Sequence, residues 1–115
     1  MPVVRRALEL NQPVFAMLET FHQHERDRLS SRDSFLALGG SLVMTCLKRA
    51  EKLEGYVLRF YEPEGREQQA LLRVSLPGME REVPVTAAPC EIQTLLLPFD
   101  SAQPVRPLML TEWEV

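Results

Sequence analysis

What this chain has little of already removes several classes of protein. It holds 2 cysteines, 1 tryptophan and 5 glycines in 115 residues. Two cysteines make no disulfide framework, and Cys46 and Cys90 both stand inside apolar runs, so they read as buried free thiols and point to a cytoplasmic protein. No apolar run approaches the ~18–20 residues of a membrane span, and Met1–Arg6 is not followed by the apolar region of a leader peptide. Positive charge is not clustered: 13 basic and 16 acidic residues are interspersed, for a net charge of −3. A nucleic-acid surface needs a concentrated positive field, so nucleic acid and membrane are both set aside as partners. The chain has no Gly-x-Ser-x-Gly elbow, no phosphate loop and no Cys–His pairing. Its length suits one domain with one core, too short for a catalytic barrel with a sandwich beside it.

What is present is a series of short apolar runs set apart by turns. The most distinctive stretch is Ser41–Glu62. Two runs, Leu42–Leu47 and Tyr56–Tyr61, carry the β-branched and aromatic residues of a half-buried strand. Lys48–Gly55 between them is polar and ends in Gly, the chemistry of a hairpin connection. Before this hairpin, Phe35-Leu36-Ala37-Leu38 leads into the turn Gly39-Gly40. After it, Glu62-Pro63-Glu64-Gly65 reverses the chain. Ala70, Leu72, Val74 and Leu76 then alternate with Leu71, Arg73 and Ser75, the cleanest period of two in the chain. Pro77-Gly78 turns again, and Pro84 assigns Arg81–Thr86 to a sheet edge or a bulge. Ile92–Leu97 is a further strand, and Leu108–Val115 a last edge strand or extended tail. All five glycines read as turn residues. Strands recurring about every ten residues between such turns give an all-β chain, an antiparallel β-sandwich of immunoglobulin-like architecture spanning 34–115.

Residues 1–33 differ. Val3–Leu18 is open between a lead-in strand and a short helical piece, interrupted at Pro13, with an extended run Val14–Leu18 beyond it. Phe21–Asp33 is charged and without period, and reads as a polar linker. It contains His22 and His24, with Glu25 and Asp27 nearby. A zinc site needs three or four ligands fixed by surrounding structure, so a solvated loop is the better reading, and no metal or other cofactor is assigned to the chain.

Aromatic residues are too few to build a broad sugar platform. Trp113 and Tyr61 are the candidates for stacking on a pyranose ring, against the commoner role of covering a core or an edge. Glycoside cleavage needs two carboxylates held ~5–5.5 Å or ~6.5–9.5 Å apart, one of raised pKa. The acidic residues here lie in turns or on polar faces beside Lys and Arg, so the chain alone does not read as an enzyme.

The residues also carry a resemblance. Leu47-Lys48-Arg49-Ala50-Glu51, then Gly55 and Leu58-Arg59-Phe60-Tyr61-Glu62, is similar to the "LKRAE…G…LRLYE" hairpin near the C-terminus of glycoside hydrolase family 38 α-mannosidases. Pro89-Cys90-Glu91-Ile92-Gln93-Thr94-Leu95 resembles the family's "PFEIKTL" strand, with Cys90 in place of an aromatic residue, and Ser34-Phe35-Leu36 resembles its lead-in. The resemblance covers roughly Ser34–Leu97. It implies a terminal β-sandwich that braces a separate catalytic domain and helps form an oligomer interface, with the family's zinc held in that domain and matched by no residue here. It implies self-association when the sandwich is alone, and only weak contact with carbohydrate. Arg59 then has two readings: a solvated residue paired with Glu51 or Glu62, or a docking residue, with Tyr61 and Glu62, that meets the partner domain through a bidentate carboxylate pair. A free-standing carbohydrate-binding or protein-interaction module is the alternative.

Overall fold

The structure, a computed structural model, describes residues 3–16, 18, 34–76 and 78–113. The chain divides into two compact units, Met1–Ser34 and Phe35–Val115.

In the first unit, Val3–Asn11 forms a helix, α1, which settles the choice between strand and helix. Gln12 N–H still donates to Leu8 O at 2.8 Å, and Pro13, which has no N–H, ends the turn. No residue of α1 is buried, and its ion pairs from Arg5 and Arg6 to Glu9 are exposed. A nine-residue helix with such contacts has little stability of its own. The extended run expected at Val14–Leu18 is not a strand: residues 14–16 and 18 have no regular structure. The linker with His22 and His24 lies outside the described residues.

The second unit holds seven strands: β1 Leu36–Leu38, β2 Val43–Arg49, β3 Gly55–Tyr61, β4 Gln68–Leu76, β5 Met79–Ala87, β6 Ile92–Pro98 and β7 Arg106–Leu108. They form two antiparallel sheets, ordered β1-β4-β5 and β2-β3-β6-β7. This is the expected sandwich. The β2–β3, β4–β5 and β6–β7 hairpins stay within a sheet, and the β1–β2, β3–β4 and β5–β6 connections cross from one sheet to the other.

Period-two alternation decides which side chains meet between the sheets. From β4, Leu72 and Val74 enter the core while Leu71, Arg73 and Ser75 stay outside. Tyr56, Leu58 and Phe60 of β3 and Leu95 and Leu97 of β6 meet them from the other sheet. Burying each large apolar side chain contributes roughly 1.5–3 kcal/mol. The opposite phase of β3 and β6 builds a smaller cluster on the outer face of the four-stranded sheet, where Val57 and Leu96 pack with Ala50, Leu53 and Leu108.

Both free edges of note are shielded. β5 carries Pro84, and its half-buried Arg81 donates from Nη2 to Asp100 O at 2.8 Å at the surface. β2 has a bulge at Thr45, because Met44 pairs with Phe60 and Cys46 with Arg59.

Three expectations need correction. Gly55 is not a turn residue but opens β3, where a Cβ would stand 2.5 Å from Leu97 O and 3.0 Å from Pro98 Cα. Close approach of β6, not turn conformation, requires glycine there. Cys90 is exposed, not buried, and Cys46 is only half-buried. The last strand is β7, ending at Leu108, so Met109–Trp113 is a turn beyond the sheet.

Candidate functional site

Residue parity along β3 places the candidate residues on opposite faces. Leu58, Phe60 and Glu62 share one side, Val57, Arg59 and Tyr61 the other.

Glu62 therefore enters the end of the core, where it is 1% exposed. Its Oε1 accepts from Glu64 N–H at 2.8 Å and Gln68 Nε2 at 2.6 Å. Its Oε2 accepts from Gly65, Arg66 and Cys90 N–H at 2.6, 3.2 and 3.0 Å. The reversal Pro63–Gly65, with Gly65 at φ +73°, folds the following amides back onto the carboxylate. Cys90 adopts φ +58°, a left-handed conformation strained for a residue with Cβ, within a turn closed by Glu91 N–H to Ala88 O at 3.1 Å. The network continues from Gln68, whose Oε1 accepts from Ser41 N–H at 3.1 Å and Ser41 Oγ at 2.8 Å. One carboxylate thus joins the start of β2, the end of β3, the β3–β4 loop and the β5–β6 turn.

Burial pushes the Glu62 carboxyl up, but the N–H donors of Cys90, Glu64, Gln68 and Gly65 outweigh it and hold the group down at about 2. A carboxylate held so low is a poor proton acceptor and is never a general acid near neutral pH. Its oxygens are occupied and it is out of solvent, so in this unit Glu62 serves as a loop anchor.

Arg59 has neither expected partner among the acidic residues. Its Nε donates to Thr94 Oγ1 at 3.2 Å and its Nη2 to Leu110 O at 2.9 Å. Tyr61 lies on the same outer face, half-buried, opposite Val43 and Ile92. Trp113 is 58% exposed, and the Lys52 ammonium lies 3.9 Å from its ring centroid. The structure brings Arg59 and Trp113 into one neighbourhood through the Met109–Trp113 turn, and separates both from Glu62. Sequence reasoning missed Gln68, Lys48 and Glu112. Gln68 stands in phase with Ala70 and Leu72, which was the available signal for its burial.

Among the described residues no group of three or more His, Cys, Asp or Glu is placed to hold a metal ion. No helix among them is long and apolar enough to cross a membrane.

Two facing sheets, with one loop-bearing end tied by a buried carboxylate, define an antiparallel β-sandwich module. Residues 41–95 match the family model described as the glycosyl hydrolases family 38 C-terminal beta sandwich domain. The matched stretch includes β2 to β5, the Glu62 network and the first residues of β6. The hairpin motif and the Pro89–Leu95 strand both fall inside it; the Ser34–Leu36 lead-in lies before it. No curated protein and no solved structure gives a significant match.

Proposed function

We propose that the chain is the non-catalytic accessory sandwich of an α-mannosidase-like glycoside hydrolase, bracing a catalytic domain and contributing to the oligomer interface. The match of residues 41–95 to that family's terminal sandwich is the observation that carries this reading. The geometry of Glu62 supports it, because the most buried carboxylate of the described residues is spent on loop anchoring and held far below the pKa of a catalytic acid. Sugar cleavage and the zinc it uses then belong to the partner domain, and the location is cytoplasmic. Docking engages the outer face of the four-stranded sheet, where Arg59 and Tyr61 stand.

The test is complementation. The purified chain is mixed with a family 38 catalytic portion lacking its terminal sandwich. A stable complex with raised thermal stability is expected. Lack of a complex, or release of mannose from an aryl α-mannoside by the purified chain alone, overturns the proposal.

A second reading, a stand-alone carbohydrate-binding or protein-interaction module, is favoured by the exposure of Trp113. Lys52 already occupies one face of the ring, which leaves the other for a sugar. Trp113 fluorescence that does not change up to millimolar mannose or mannobiose removes the sugar-binding form of this reading.

A further inference from the structure

Most of the described sandwich is held by apolar burial. Met109–Trp113 is held differently. Its backbone forms its own turn, with Met109 N–H donating to Trp113 O and Glu112 N–H to Met109 O, both at 2.8 Å. Met109, Leu110 and Trp113 are each more than half exposed. What meets the sandwich is polar. Arg59 Nη2 donates to Leu110 O at 2.9 Å, Lys48 Nζ pairs with Glu112 Oε2 at 3.0 Å, and Lys52 sits over the Trp113 ring. Cations from β2, the β2–β3 turn and β3 converge on five consecutive residues.

Glu112 is the uncomfortable member. Its backbone has φ +66°, its side chain is 10% exposed, and its Oε1 is buried with no hydrogen-bond partner.

We propose that Met109–Trp113 is an ionic latch, a strap that engages Lys48, Lys52 and Arg59 when closed, pairing Lys48 with Glu112, and lets go of them by local opening, with the sandwich intact. A segment with few buried apolar contacts opens at lower free energy than the core beneath it. Ion pairs this near the surface are weak and are screened by salt. The left-handed backbone and orphaned oxygen of Glu112 add cost to the closed state alone. Opening takes one carboxylate, Glu112, away from that face and uncovers Lys52 and Arg59, while Lys48 keeps Glu51 at 3.2 Å.

Trp113 is the only tryptophan in the chain, so its fluorescence reports the strap directly. Acrylamide quenching and anisotropy are measured on the full chain at about 0.05 M and 1 M NaCl, a range over which the screening length falls well below the span of the cluster. The same is done at low salt for Glu112→Gln and Lys48→Gln, with Arg73→Gln as a control on the other sheet and far-UV circular dichroism as the check on the sandwich. With Trp113 58% exposed when closed, full release raises quenching by roughly 1.7-fold, the ratio of complete to present exposure. High salt and both latch variants are expected to raise quenching toward that limit and lower anisotropy, with the β signal and the control unchanged. Identical quenching and anisotropy in all samples overturn the latch. So does a change that occurs only together with loss of the β signal, because the strap is then part of the global fold.

Discussion

Glu62 and Glu112 are both drawn nearly out of water, and the chain supports them by opposite means. Glu62 has no cation among its hydrogen-bond partners; main-chain N–H groups of two loops and one amide side chain share its two oxygens. Glu112 has a cation, Lys48, on one oxygen and nothing on the other. The first arrangement fixes backbone that has no sheet partner of its own. The second fastens a peripheral turn by one ion pair. The difference teaches that charge partners are not what makes a buried carboxylate structural. The number of donors fixed in place around it does.

The strongest way to break this contrast is Glu62→Gln. Whichever way the amide is turned, at least two N–H groups face an NH2 instead of an oxygen. A fall in Tm on the order of 10 °C or more is expected in thermal unfolding, since each orphaned buried donor is costly. Acid should reveal the same group. The folded carboxyl sits at about 2, below its ordinary 4.5. The stability it contributes is therefore complete above about pH 4.5 and is lost as pH falls from there toward 2. Urea unfolding between pH 6 and 2.5 should show this limb in the parent and a much flatter one in Glu62→Gln. Gln68→Leu removes a donor to Glu62 and the acceptor of Ser41; a loss of about 1–3 kcal/mol is expected by urea unfolding. Glu112→Gln should lower Tm by less than ~5 °C, as a near-surface ion pair contributes little globally. A larger fall than that of Glu62→Gln would reverse the contrast. Arg73→Ala, which breaks an exposed pair with Glu82, should stay within ~0.5 kcal/mol of the parent.

The strands were legible because they obey local rules. The alternation from Ala70 to Leu76 appears unchanged in β4, and Pro84 does lie on an edge. The unread features are tertiary. Gly55 resembles any turn glycine until β6 is laid against it. Cys90 stands among apolar letters, yet it occupies the tip of a turn, where its main-chain N–H donates a hydrogen bond to a carboxylate 28 residues away. Glu62 shares the parity of Leu58 and Phe60, a signal the reading of it as a docking residue beside Arg59 and Tyr61 passed over. Its donors come from Glu64, Gly65, Arg66, Gln68 and Cys90, which no period reveals. Arg59 alternates with Leu58 and Phe60 and so faces away from them, but its acceptor on Leu110 lies 51 residues downstream, beyond any local period.

Because the β3–β4 loop and the β5–β6 turn hang from one side chain, they cannot drift independently. A changed length in either disturbs the other, so variation at that end must come as matched pairs. Gly78, at the β4–β5 tip, has no atom within 4 Å of where a Cβ would stand. An inserted epitope or affinity peptide belongs there, where no second loop keeps count.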